Sequence, residues 1–222
     1  MNKNIIITGA TGTLGSLASK VFAMQGHNLI LMGTNQNKLD SLAKDLNLPS
    51  NRFLNQALDL TNADALQTSV ETALSKFGSI HALFHLIGGW VGGKTFTDTS
   101  YDDLEFMLNQ HVRSTFNLFK SLSKPLSGNN WGRVIIVSAS TVTNPPGKSG
   151  VYTATKAAQE NMVLSLASEL KEYKVTANII QVKAIDVENK GKGTTPAEIV
   201  SAMQYLFSDE AGKISGARIP LY

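Results

Sequence analysis

A doubly wound α/β domain, with a parallel sheet of about seven strands covered by helices on both faces, is the fold class this sequence predicts. Three observations carry the prediction. Short apolar, β-branched runs alternate with stretches of helical periodicity along the whole chain. The first of these runs ends in a glycine-rich turn, Thr8-Gly-Ala-Thr-Gly-Thr-Leu-Gly15, that opens directly into an amphipathic stretch. No linker, repeat or low-complexity segment interrupts the pattern, so residues 1–222 are expected to form one domain.

Asn4-Ile5-Ile6-Ile7 is the kind of run that makes a buried parallel strand, and Leu14–Met24 follows with apolar residues at helical spacing. The glycines therefore occupy a strand-to-helix turn. Gly9 permits a tight turn, Gly12 lets the backbone approach a pyrophosphate, and Gly15 allows helix and strand to pack closely. The helix N-terminus adds free N–H donors, so Thr11, Thr13 and Leu14 join the glycines as candidate cofactor contacts. Further strands are expected at Asn28–Met32, Arg52–Leu58, Ile80–Leu86, Arg133–Val137, Val175–Gln181 and Ala217–Ile219. Helices are expected at Gln36–Asn47, Ala63–Phe77, Tyr101–Leu126, Val151–Tyr173 and Pro196–Phe207. The Pro145–Gly150 loop runs from a strand end into a helix, where a ligand-facing loop of an open α/β sheet belongs.

Composition excludes several function classes. Hydrophobic residues make up 42%, and 20 Lys+Arg against 17 Asp+Glu leave a net charge of +3 without a basic cluster, so neither nucleic acid nor a membrane surface is an expected partner. With no cysteine the chain has no disulfide and no thiol nucleophile, which fits a reducing compartment; a cytoplasmic location is expected. His27, His81 and His85 lie scattered at strand starts and ends, with no metal-site spacing, and no metal is expected.

Tyr152 and Lys156 stand four residues apart in the expected Val151–Tyr173 helix and so share a face. A phenol ionises near pH ~10 and needs a nearby cation to favour its phenolate. Lys156 is placed to be that cation, which makes the two a candidate proton-transfer pair for hydride exchange between a nicotinamide and a carbonyl or alcohol.

The Thr-Gly-x-x-Gly-x-x-Gly turn, the pair Asp59-Leu60 after the third strand, Gly88-Gly89 after the fourth and the Tyr-x-x-x-Lys helix together resemble the short-chain dehydrogenase/reductase family, over nearly the whole chain. The resemblance implies a Rossmann-like fold, a small-molecule carbonyl or alcohol substrate, Asp59 and Leu60 against the adenine, Gly88 and Gly89 beside the cofactor, and Lys156 on the nicotinamide ribose as well as beside Tyr152. Asp59 has a second reading, as a helix N-cap or turn residue. Helices Tyr101–Leu126 and Val151–Tyr173 are long enough to pair across a two-fold axis, as in the family, so a homodimer or homotetramer is expected. An NAD enzyme of this kind places Asp or Glu at the end of the second strand, where this chain reads Met32-Gly33-Thr34-Asn35. With no acid there, and with Thr34, Asn35 and Lys38 able to donate to a phosphate, NADP(H) is expected over NAD(H).

The active site departs from the family. Ala139 aligns with the catalytic serine, so Ser140, and second Ser138, are the candidate hydroxyls that polarise a carbonyl; the alternative is two loop serines capping backbone groups. His111 stands where an asparagine usually lies, either as a proton relay through Lys156 to Tyr152 or as a helix-packing residue. His85-Leu86 replace the asparagines before Gly88, which is expected to weaken the polar scaffold around the fourth strand, and Val182-Lys183 stand in place of a Pro-Gly. Trp90, in Gly88-Gly-Trp-Val-Gly-Gly93, is a candidate aromatic wall or a subunit-packing residue, and its loop is similar to that of dihydropteridine reductases. An enzyme is the reading preferred over a nucleotide sensor or scaffold, because a sensor has no chemical need for the Tyr152 and Lys156 pair.

Overall fold

The computed structural model describes residues 2–222. Its seven strands are β1 Asn4–Thr8, β2 Asn28–Gly33, β3 Phe53–Ala57, β4 Ala82–His85, β5 Gly132–Ala139, β6 Val175–Val182 and β7 Arg218–Pro220. They form one sheet in the order β3-β2-β1-β4-β5-β6-β7, parallel throughout. Helices α1 Thr13–Met24, α2 Gln36–Leu46 and α7 Pro196–Phe207 cover one face; α3 Ala63–Phe77, α5 Ser114–Ser127 and α6 Gly150–Glu169 cover the other.

Why the strands read as unbroken apolar runs is visible at β1. Successive side chains point to opposite faces. Ile6 enters the core beneath α3, α5 and α6, while Ile5 and Ile7 enter the core beneath α1, α2 and α7, and all three are fully buried. The chain builds outward from β1 through β2 to β3, then returns to place β4 on the other side of β1. That reversal opens a crevice beyond the carboxyl ends of β1 and β4, where ligands of such sheets bind.

Two helices differ from expectation. The stretch expected as one helix, Tyr101–Leu126, is α4 (Tyr101–Met107) and α5 joined by a π-helical turn at Leu108–Arg113. A wider turn re-aims the side chains it carries, and here His111 becomes fully buried. The long helix α6 stops at Glu169 and passes through a 3-10 turn, Lys171–Tyr173, into Lys174 at φ +56, which lets the chain reverse into β6. Deep in α6, the buried Glu160 carboxylate accepts from Gln181 Nε2 of β6 at 2.9 Å and Arg218 Nε of β7 at 2.6 Å, tying the last strand to the helix.

Candidate active site

The glycine turn is a backbone device. Gly9 lies at φ +66, a conformation that glycine adopts without strain. A Cβ on Gly15 would stand 2.1 Å from the Gly9 carbonyl oxygen, so α1 can start this close to β1 only with hydrogen at that position. Gly12 is the N-cap of α1 and no side chain caps it, which leaves the first N–H groups of the helix to serve an anion.

Around this turn runs a cleft of about 330 Å³. Gly9, Thr11, Gly12, Thr34, Asp59, Leu60 and Gly88 line it. Leu14 lines the neighbouring reaction cleft, Thr13 is exposed at the helix start and Gly15 is buried under the turn. Asn35 caps α2, its Oδ1 accepting from the Lys38 N–H at 3.0 Å, and Lys38 borders a shallow depression that also touches Thr11. Asp59 Oδ1 accepts from the Thr61 N–H and hydroxyl, each at 2.8 Å, while Asn62, not Asp59, caps α3. The cradle that a Cβ would fill and the uncapped helix end fit the pyrophosphate of a dinucleotide. Asn109, Gln110 and Ser114, from the π turn and the start of α5, also line this cleft and were not foreseen from the sequence.

At Leu86, Ile87 and Gly88 the cleft opens into a second one of about 300 Å³, lined by Gly89, Trp90, Ser138, Tyr152, Lys156 and Lys183 among others. Trp90 is 65% exposed and forms one of its walls. Ser138, at the end of β5 beside Gln181, is buried, and its Oγ has no hydrogen-bond partner among the described residues. Ser140 sits two residues beyond, in a 3-10 turn, and does not line this cleft. Ser138 falls on the same strand alternation as Val134 and Ile136, beneath α6, whereas two residues later, at Ser140, the strand has ended.

Lys156 Nζ, almost fully buried, donates to the Val137 carbonyl at 3.0 Å and to Gln159 Oε1 at 2.8 Å. Burial pulls this ammonium down to about 8, with the Glu160 carboxylate opposing. The expected depression of the Tyr152 phenol is absent from this geometry. Burial pushes that phenol up, and the ammonium spends two of its three N–H groups on Val137 and Gln159. The Tyr152 ring stacks edge-on against His111, centroids 5.6 Å apart at 73°. His111 Nδ1 lies 3.0 Å from Thr155 Oγ1, and Nε2 has no hydrogen-bond partner among the described residues. Burial first, then the Lys156 charge, lower His111 to about 3; the Gly89 backbone opposes this without reaching hydrogen-bond geometry. At neutral pH this imidazole is uncharged, with one nitrogen a donor and the other an acceptor.

His85 overturns the expectation of a weakened scaffold on β4. Both its nitrogens are engaged, Nδ1 with Thr8 Oγ1 at 2.7 Å and Nε2 with Thr115 Oγ1 at 3.1 Å, and burial holds it at about 3. Among the described residues no group of three or more His, Cys, Asp or Glu is placed to hold a metal, and no helix is long and apolar enough to cross a membrane.

The profile of the short chain dehydrogenase family matches residues 3–197. The chain belongs to that family. As a short chain dehydrogenase it is an NAD(P)-dependent oxidoreductase with the family's fold and its dinucleotide cradle. It is 28% identical to nodulation protein G of Rhizobium sp. (strain N33), over 98% of this chain and 94% of the relative. Identity to a 3-oxoacyl-acyl-carrier-protein reductase of Mycobacterium bovis is 24%, over 100% and 92%. Among solved structures, the 3-ketoacyl-acyl-carrier-protein reductase of Brucella melitensis, complexed with NADH, superposes with a TM-score of 0.90 at 21% identity, covering 99% of this chain and 96% of that one. In this short chain dehydrogenase the residues that sequence reasoning missed, Thr115 and Gln159, lie on α5 and α6 and become functional candidates only once the helices pack.

Proposed function

We propose that this short chain dehydrogenase is an NADP(H)-preferring carbonyl reductase in which Tyr152 delivers the proton. The observation that carries the reading is the convergence of Tyr152, Lys156 and Ser138 in one cleft continuous with the dinucleotide cradle. When bound, the nicotinamide supplies the hydride. Gly9, Gly12 and the α1 N-terminus hold its pyrophosphate, Asp59, Leu60 and Gly88 flank the rest, and Thr34, the Asn35 amide nitrogen and Lys38 meet a 2′-phosphate. The absence of a carboxylate at the end of β2 supports that preference, and Asp40 of α2 is occupied by Gln36 at 2.8 Å and Asn55 at 2.9 Å.

Tyr152 Oη–H donates to the substrate's carbonyl oxygen, and its proton passes to that oxygen as negative charge develops. A phenol pushed up by burial is fully protonated at neutral pH, which suits it to reduction. The phenolate left behind is stabilised by the third N–H of Lys156. Ser138 Oγ, free of other partners, orients the carbonyl from the second side. His111 backs the Tyr152 ring as a neutral group. Ser140 keeps a place only in the turn that ends β5. Pairing of two or four copies through α5 and α6 belongs to the same reading, supported by Phe116 of α5, 56% exposed.

The test is NADPH and NADH oxidation against aldehydes, ketones, 3-oxoacyl thioesters, quinones and pterins, with dinucleotide affinity measured by calorimetry. Turnover with NADPH favoured is the expected result. Tight binding without turnover on any of these compounds would leave the sensor reading in its place.

A further inference from the structure

Behind Tyr152 the buried polar groups form a continuous chain that the reaction above does not use. Gln159 accepts from the Lys156 ammonium through Oε1 and donates from Nε2 to Thr115 Oγ1 of α5, at 2.9 Å. Thr115 spends its own hydrogen on the His111 carbonyl, 2.6 Å away, which leaves its oxygen two lone pairs. Gln159 fills one. His85 Nε2 fills the other and is therefore the protonated nitrogen, so Nδ1 is an acceptor and Thr8 Oγ1 donates to it. The amide orientation is fixed as well, since an ammonium can only donate and must face the oxygen. Thr8, His85, Thr115 and Gln159 are each at most 1% exposed.

Packing α6 against α5 needs no amide at this depth; an apolar side chain fills such a position without a desolvation cost. A lysine held by the Val137 carbonyl alone would still swing about that single contact. We propose that Gln159 is the positioning residue of Lys156, its amide locked by Thr115, His85 and Thr8 so that the one uncommitted N–H of the ammonium points into the reaction cleft beside Tyr152. The proposal rests on the role given to Lys156 above. The titratable groups around that ammonium are Tyr152 and Glu160 on α6, His85 on β4, His111 in the π turn and Lys183 beyond β6, and none accepts a hydrogen bond from it.

The test follows the ε-carbon resonance of Lys156 through a pH titration of 13C-lysine-labelled protein, assigned by its loss in Lys156→Met. Gln159→Leu removes an acceptor from the charged form and should lower the midpoint by about one pH unit; Gln159→Glu replaces the acceptor with an anion and should raise it. A role confined to packing leaves the Gln159→Leu midpoint at the parent's, and that outcome overturns the proposal. If Gln159→Leu does not fold, Gln159→Met, which keeps the length of the side chain without its acceptor, decides in its place. In kinetics, Gln159→Leu should lower kcat more than it alters KM. Tyr152→Phe, assayed alongside, separates the two layers. Lost turnover there with unmoved Lys156 midpoints rejects the positioning role only. Retained turnover with shifted midpoints rejects the proton-donor reading and leaves Gln159 in its place.

Discussion

The two clefts that meet at Leu86, Ile87 and Gly88 are built from different material. The dinucleotide cleft is a backbone structure: a glycine at φ +66, a helix start without a side-chain cap, and a contact that permits no Cβ. The reaction cleft is lined by side chains from β5, α6 and the segments after β4 and β6, and is backed by a buried polar network whose hydrogen bonds span 44 residues between Thr115 and Gln159 and 77 between Thr8 and His85. A backbone site tolerates change in its neighbours as long as its glycines stay. A side-chain site can be rebuilt with other residues, and here it has been, with Ala139 in its lining and His85, His111 and Gln159 buried behind it.

Breaking each cleft separately should give different signatures. The largest effect belongs to Tyr152→Phe, which removes the proton donor: turnover in reduction should fall by about 10²–10⁴, the usual range for a general acid, with dinucleotide affinity retained. Parent turnover in that variant would defeat the assignment. Gly15→Ala attacks the other cleft. Its methyl would stand 2.1 Å from the Gly9 oxygen, so thermal unfolding should show roughly 1–3 kcal/mol lost, as for an overpacked core, and calorimetry a weakened dinucleotide. An unaltered affinity would mean that the close packing of α1 on β1 does not shape the cradle.

Acid should strike the buried histidines behind the side-chain cleft. His85 and His111 ionise at about 3 in the folded chain against 6.5 when unfolded. As pH falls below 6.5 the unfolded chain takes up protons that the folded chain refuses. The stability these groups contribute is therefore complete above 6.5 and is lost progressively toward pH 3, at about 1.4 kcal/mol per histidine per pH unit. His111→Asn should flatten the fall of Tm between pH 6.5 and 4.5; an equally steep fall would show that this ring does not stay neutral. The smallest effect is expected from Thr34→Asp, which sets a carboxylate beside the 2′-phosphate and should cut the NADPH over NADH preference roughly tenfold, about 1.4 kcal/mol. Equal affinities for NADPH in parent and variant would place the phosphate elsewhere.

The same division explains how much the sequence revealed. The strands, the helices on both faces and the glycine turn were legible because apolar period and glycine spacing are local properties; the order of the strands in the sheet was not. Tyr152 and Lys156 were legible as neighbours on one helix, but the ammonium's partners were not, since Gln159 looks like any polar helix residue until Thr115 is packed against it. His85 read as the loss of an asparagine, whereas it bonds on both sides to threonines far off in the chain. The serines were ranked by alignment alone, and the ladder, which runs to the pair of Ala139 with Val182, keeps Ser138 in β5 and leaves Ser140 outside it. The π turn left no trace in the periodicity of Tyr101–Leu126, and it is the device that buries His111.

The central claim, a protonated phenol working beside a buried ammonium over a bound NADPH, is tested most directly by the pH profile of kcat for NADPH-dependent reduction of whichever carbonyl compound turns over fastest. The phenol lies above its ordinary value and Lys156 titrates at about 8, so the rate should be level through neutrality and decline as pH rises through that value. A rate that stays level to about pH 10, where an unperturbed lysine begins to titrate, contradicts the account.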